Sequence, residues 1–177
     1  GKDPAAPNYN PDADSEAPAH AVTLAPFFLA KYELTQAQWR RMSGGEEPSS
    51  YSARMKTRYG QPSWTCPVEM VSWKAARELL GKHDLVLPTE AQWEYACRAG
   101  TTTLWWTGSS TASLQGAANL PDRSVTKAGL NFGDASEELD DGFIGPAPVD
   151  ALRPNPFGLH HMHGNVLVKC TDSTESY

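Results

Sequence analysis

The sequence lacks the features that mark membrane-spanning, disulfide-rich and nucleic-acid-binding proteins. No apolar run approaches the roughly 20 residues that a bilayer-spanning helix needs, and residues 1–20 contain no apolar signal-peptide core. The three cysteines (Cys66, Cys97 and Cys170) lie far apart with no C-x-x-C spacing, so neither a disulfide framework nor a zinc site is predicted. Lysine and arginine number 15 against 21 acidic residues and are scattered, which argues against a nucleic-acid partner. The cellular compartment stays open.

The chain is rich in glycine, proline and tryptophan. The 177 residues include 14 Gly, 14 Pro and 6 Trp, which is typical of a loop-rich globular domain built around a few aromatic side chains. A chain of this length usually folds as one unit. We expect residues 1–20, which are rich in Pro, Ala and Asp, to form an extended arm. Residues 21–177 are then expected to form one domain.

Two nearly identical segments predict helix starts. Thr35 is followed three residues later by Gln38, and Thr89 is followed in the same way by Gln92. This is the capping-box pattern, in which the side chain of each residue bonds the backbone N–H of the other. A third helix is predicted at 72–80, where a serine precedes a periodic apolar pattern.

The remaining chain predicts short or irregular elements. Gly100 is expected to stop the second of the capped helices. Apolar alternation at 21–24 and again at 27–32 indicates two short strands. No long element is predicted at 101–113 or at 131–145.

Several segments follow one another in the order of a known family's signature blocks. Over about residues 20–166 the chain resembles the formylglycine-generating (sulfatase-modifying factor) family, because the segments match that family's signature blocks and follow in the same order. The resemblance implies an α+β fold, a variant of the C-type-lectin fold with little regular secondary structure, a small twisted sheet and two or three helices. Past residue 166 the chain departs from the family pattern, and we expect domain 21–177 to be incomplete at its C-terminus. The segments that carry the resemblance are Tyr32-Glu33-Leu34-Thr35, Pro67-Val68-Glu69-Met70-Val71-Ser72-Trp73, Leu87-Pro88-Thr89-Glu90-Ala91-Gln92-Trp93, Asn155-Pro156-Phe157-Gly158-Leu159 and Met162-His163-Gly164-Asn165-Val166.

The resemblance leaves several functions open. Members of the family include copper-dependent oxidases, iron-dependent sulfoxide synthases, kinase-attached modules and ligand-binding proteins. Because the chain ends before the family's copper-binding cysteine pair, we favour a non-catalytic module that binds a protein or a small-molecule ligand. The alternative is an oxidase that converts a sulfatase cysteine to formylglycine with copper and O₂. Copper is then expected only if the C-terminal part is supplied, so whether the chain is an enzyme stays open.

The resemblance also implies a calcium site. Its ligands would come from Asn119, Leu120, Asp141 and Phe143, through side-chain and carbonyl oxygens of the kind that a hard cation prefers. The alternative is that Asn119 caps a turn and Asp141 belongs to a solvated acidic run. A second calcium site of the family looks broken, because His161 and Val168 occupy its side-chain positions.

A binding surface is predicted from aromatic, histidine and lysine residues. Trp105 and Trp106 lie in a polar loop, and aromatic side chains on rigidly held loops are good anchors. The segment 160–169 completes the surface, so the expected ligand contacts are Trp105, Trp106, His160, His161 and Lys169. The cluster of His160, His161 and His163 invites a metal hypothesis, but a structural or surface role is the alternative that we favour. An uncovered sheet edge is expected to be closed by a second copy or by a partner chain.

Overall fold

The computed structural model describes residues 20–54, 62–131 and 135–172. The expected arm at 1–20 therefore lies outside the described residues, except for His20. Within the described ranges four α-helices and one 3-10 turn are joined by long irregular segments, and no helix there is long and apolar enough to cross a membrane. The elements are α1 (Gln36–Ser43), α2 (Trp73–Gly81), α3 (Glu90–Arg98), the 3-10 turn (Thr111–Leu114) and α4 (Arg123–Lys127).

The two predicted capping boxes are confirmed. At the start of α1, the Thr35 hydroxyl accepts the Gln38 N–H at 3.2 Å and the Gln38 side chain accepts the Thr35 N–H at 2.9 Å. The same pair of bonds joins Thr89 and Gln92 at the start of α3. Each box satisfies two of the backbone N–H groups that a helix start leaves without partners.

Helix α2 is also confirmed, with Ser72 as its N-cap: the Ser72 hydroxyl accepts the Ala75 N–H at 3.1 Å. The end of α3 differs slightly from the prediction. Ala99 adopts the left-handed conformation with φ of 47°, one residue before Gly100, where φ is 84°.

Helix α4 was not predicted. It has five residues, which is too short for a periodic apolar pattern to be visible. Its N-cap is Asp122, whose Oδ1 accepts the Ser124 N–H at 2.7 Å and whose side chain is fully buried. The usable signal was an aspartate directly after Pro121, since aspartate is a favoured N-cap.

The small twisted sheet is not confirmed. The described residues contain isolated β-bridges but no strand, and both 21–24 and 27–32 are irregular. Single backbone bonds join these parts of the chain to their neighbours in place of a ladder, such as Val68 N–H to Leu34 O at 2.8 Å and His160 N–H to Lys31 O at 3.1 Å. Apolar alternation favours a strand only where a neighbouring segment runs alongside to pair with it.

Two small apolar clusters form the core. Ala96 and Cys97 of α3 pack with Met162, and Leu29, Trp93, Trp106 and Leu159 lie against them. Leu114, Ala118 and Leu139 form the second cluster, against which Trp105 and Leu120 pack. The adjacent tryptophans 105 and 106 therefore belong to different clusters and connect them.

Residues 170–172 tie two helices to the rest of the domain. The Trp73 indole N–H at the start of α2 donates to Cys170 O at 2.8 Å. Asp172 accepts the Glu90 N–H at the start of α3 at 2.8 Å, and Thr171 N–H donates to Pro88 O at the same distance. Residues 160–169, which directly precede 170–172, form the candidate site.

Candidate functional site

Gly164 brings segment 160–169 into backbone contact with Asn119. The two residues form a parallel bridge, and Asn165 N–H donates to Asn119 O at 2.8 Å. A Cβ on Gly164 would lie 2.1 Å from Asn119 O, and φ at Gly164 is 82°. Both the close approach and the left-handed backbone therefore require glycine here.

Asn165 is a hydrogen-bonding hub between three distant parts of the chain. Its Oδ1 accepts Asn119 Nδ2 at 2.9 Å and Ala147 N–H at 2.8 Å, and its Nδ2 donates to Glu33 Oε2 at 2.6 Å. Asn165 itself has φ of 66°, a conformation that asparagine tolerates better than most residues. The hub holds Asn119 and Glu33 on opposite sides of one side chain.

The four residues of the expected calcium site lie together. Asp141 accepts the Phe143 N–H with Oδ1 at 2.7 Å and the Leu120 N–H with Oδ2 at 3.0 Å. The Asn119 amide nitrogen is committed to Gly145 O at 3.0 Å as well as to Asn165. Among the described residues no hydrogen bond is made to Asn119 Oδ1.

The charge around Asp141 is consistent with a cation site. The pKa of Asp141 is raised to about 6: burial is the main cause, the neighbouring carboxylates of Asp122 and Asp140 also raise it, and the two N–H bonds lower it. A desolvated carboxyl among like charges gains from a bound cation. The oxygen donors present suit calcium, with Asn119, Leu120, Asp141 and Phe143 as the residues that would hold it.

The histidines do not form a metal cluster. Across the part of the chain that the structure describes, no three His, Cys, Asp or Glu side chains converge as metal ligands. His160 packs against Tyr32, with ring centroids 4.8 Å apart, and its Nδ1 lies 2.8 Å from Leu152 O. His161 is only 3% exposed, and its Nε2 lies 3.0 Å from Pro148 O. Burial lowers the pKa of His161, so the ring is held neutral near pH 7.

The structure places the expected ligand contacts in different surroundings. Trp106 is joined to segment 160–169, because its N–H donates to His163 Nε2 at 3.4 Å, and the Arg153 guanidinium lies 5.3 Å from its ring centre. Trp105 and Trp106 are half-buried against the core clusters. Lys169 lies at the far end of the segment and lines a separate cavity. Their role in ligand binding stays a prediction.

A cavity of about 590 Å³ runs along segment 160–169. Asn119 and Leu120 of the expected calcium site line it, as does His161. Its remaining wall comes from α3, through Glu90 and Trp93, and from Pro121, Met162, His163, Gly164, Asn165, Val166, Leu167, Val168 and Cys170. The cavity thus joins two groups of residues that the sequence suggested separately.

The three cysteines are buried and free. The Cys97 thiol donates to Met162 O at 3.3 Å and lies 3.7 Å from His163 Nδ1, and burial raises its pKa to about 11. Burial also raises the pKa of the Cys66 and Cys170 thiols. A buried thiol with a raised pKa is a small apolar side chain and a poor thiolate nucleophile.

Sequence reasoning missed Glu33. Burial raises the pKa of its carboxyl from 4.5 to about 7, against the lowering effect of the Asn165 bond, and its Oε1 is buried with no hydrogen-bond partner. Trp39 has an orphan of the same kind at its indole Nε1. The available signal was a single acid between Tyr32 and Leu34 next to a helix start.

Short capped helices joined by irregular segments define a loop-dominated domain, and a solved structure shares its fold. Treponema denticola variable protein 1 has a TM-score of 0.52 and 20% sequence identity, with 80% of this chain and 63% of that chain covered. The chain belongs to the sulfatase-modifying factor family, since the family model "Sulfatase-modifying factor enzyme 1-like domain" matches residues 4–177.

Curated relatives agree on the family. The formylglycine-generating enzyme of Mus musculus is 33% identical over 148 residues, which are 82% of this chain and 34% of that protein. The protein named inactive C-alpha-formylglycine-generating enzyme 2 of Bos taurus is 36% identical over 102 residues, 56% of this chain and 31% of that protein. The chain therefore spans about a third of the length of these relatives.

Proposed function

We propose that this chain is a non-catalytic binding module of the sulfatase-modifying factor family. The observation that carries the proposal is the 590 Å³ cavity along segment 160–169, which combines apolar walls with a few fixed polar groups. Cavities of this size and composition are typical of small-ligand sites. The Trp105–Trp106 turn, tied to His163, extends the surface toward a protein partner.

Calcium is proposed as a structural cation beside this cavity. Asn119 Oδ1 and Asp141 would supply side-chain oxygens, and Leu120 and Phe143 would supply carbonyl oxygens. A cation there would neutralise an otherwise desolvated carboxyl and would fix the backbone that leads into Gly164 and Asn165. Calcium would thus hold one wall of the binding cavity in place.

The buried thiols support a binding role over an oxidase role. Cu(I) is held by soft thiolate ligands, and all three cysteines of this chain have raised thiol pKa values in buried surroundings. One relative of similar identity carries the word inactive in its name.

The second candidate is an oxidase that converts a sulfatase cysteine to formylglycine with copper and O₂. It is favoured by the mouse relative, which is named formylglycine-generating enzyme and is 33% identical over most of this chain. In this case thiolates other than Cys66, Cys97 and Cys170 would have to hold the copper.

Copper(I) titration separates the two candidates. The protein isolated from its native source, with any cysteines that lie outside these 177 residues, is titrated with Cu(I) under reducing conditions against a chromophoric chelator of known affinity. A binding module leaves all copper with the chelator, because none of its thiols is an accessible thiolate. Stoichiometric removal of copper from the chelator, together with O₂-dependent conversion of a cysteine-containing sulfatase peptide, would establish the oxidase instead.

A further inference from the structure

A second cavity lies on the other side of residues 166–168. Its volume is about 650 Å³, and Val166, Leu167 and Val168 line both cavities, so the two share a wall. Most of its lining is apolar and comes from α1, α2 and the segments that precede α1, α2 and α3: Leu34, Trp39, Val68, Val71, Ala76, Leu80, Leu87 and Pro88. We call it the Glu69 cavity.

Three residues with charged groups line the Glu69 cavity: Glu33, Glu69 and Lys169. Glu69 Oε1 accepts the Tyr51 N–H at 2.7 Å, while no bond to its Oε2 is made within the described residues. Glu33 lies behind the wall, with Oε2 held by Asn165 and Oε1 buried and unpaired. Within the described part of the chain Lys169 is the one cationic residue of the lining, so the lining carries a formal charge of minus one when both carboxyls are ionised.

Trp39 of α1 lines this cavity, while its indole nitrogen is buried behind the surface. Trp39 is 3% exposed, and its indole Nε1–H has no partner. Buried N–H groups without partners are rare in folded proteins and call for an explanation.

The mouth of the cavity is apolar and exposed. Met70 is 72% exposed and Leu167 is 92% exposed. Met70 has φ of 60°, an uncommon conformation for a residue other than glycine, and such positions cluster at ligand sites. Methionine adapts its shape to varied apolar ligands, so Met70 is suited to cover the bound molecule.

We propose that the Glu69 cavity binds a small primary amine with an apolar, aromatic body. The ammonium group would bond the free oxygen of Glu69, and the buried carboxylate of Glu33 would add an attractive field from behind the wall. The aromatic part would contact Trp39, Leu80 and Val168. An anionic ligand fits less well, because it would face two carboxylates and only Lys169. This inference rests on the proposed binding function and names the ligand class for a site adjacent to the 590 Å³ cavity.

Three matched probes test the charge preference. 2-Phenylethylamine is the cation, 2-phenylethanol is its neutral analogue and 3-phenylpropionate is the anion, and each is titrated into the chain at pH 7.5. Binding is followed by the NMR signal of the Trp39 indole N–H, which is assigned with Trp39→Phe. We expect the amine to bind at least about tenfold more tightly than the alcohol, since hydrogen bonds to charged groups are the stronger ones.

Variants locate the site. Glu69→Gln is expected to remove this preference for the amine, and Glu33→Gln to reduce it, while Glu78→Gln on the exposed face of α2 leaves it unchanged. Equal affinity for amine and alcohol, tighter binding of the anion, or an amine preference that survives in Glu69→Gln would each overturn the proposal. The copper titration is a separate result: chelator-bound copper with no amine binding removes only this inference, whereas tight Cu(I) binding removes the binding-module function.

Discussion

Glu33 is a carboxyl that is favoured in its neutral form by the fold. Burial is the main cause of its raised pKa, which stands at about 7 against 4.5 in an unfolded chain. The folded state therefore binds more protons between these two values. The stability that Glu33 contributes is fully present below pH 4.5 and is lost as the pH rises through about 7.

Glu33→Gln is predicted to flatten this pH dependence. Glutamine cannot ionise, yet its side-chain oxygen can still accept the Asn165 bond. From pH 5 to pH 8 the free energy of unfolding of the parent should fall, relative to that of the variant, by on the order of 3 kcal/mol. Urea unfolding at both pH values measures it, and Glu78→Gln serves as the exposed control. If the free energies of unfolding of the parent and of Glu33→Gln changed with pH in parallel, the raised pKa of Glu33 would be contradicted.

At the scale of elements, local sequence chemistry decided the helices. The capping boxes at Thr35 and Thr89 were recognisable because each depends on residues three apart. Helix α4 was not predicted, because five residues are too few to show an apolar periodicity. The expected strands at 21–24 and 27–32 were wrong for the opposite reason: their alternation is real, but a strand also needs a partner segment in register.

Thr89→Ala is predicted to destabilise the domain by about 1 kcal/mol, because it removes the acceptor for the Gln92 N–H at the start of α3. Helix α3 carries Ala96 and Cys97 of the first core cluster, so fraying at the start of the helix should lower the stability of the whole domain. Urea denaturation measures the loss. Thr89→Ser, which keeps the hydroxyl, should retain most of the stability. Equal free energies of unfolding for Thr89→Ala and Thr89→Ser would show that the hydroxyl does not stabilise the helix start.

At the scale of the whole molecule, one hub joins residues that the sequence keeps far apart. Glu33, Asn119 and Ala147 all bond the Asn165 side chain, and Gly164 permits the close contact with Asn119. The proposed calcium site, the cavity along 160–169 and the Glu69 cavity are arranged around this hub. A cation bound beside Asn119 is therefore expected to stabilise the domain as a unit.

Calcium is predicted to raise the melting temperature, and the increase should grow with the logarithm of the calcium concentration once that concentration exceeds the dissociation constant of the native site. Asp141→Asn should lose most of the calcium response, because it removes the one side-chain charge of the ligand set. Glu137→Gln removes a charge from the same acidic run and should keep the response. Thermal melts with calcium and with a chelator measure it, and an equal loss in both variants would favour a solvated acidic run over a site.

The sequence by itself determined the family, the three helices with clear caps and the residues proposed for calcium, since these depend on local chemistry or on the order of motifs. Only the tertiary structure decided that Trp105 and Trp106 serve separate core clusters and that Lys169 lines a different cavity from His161. It also decided that Glu33 is desolvated. The physical reason is that burial and cavity shape arise from contacts between distant segments, such as Glu33 with Asn165, which no local pattern encodes.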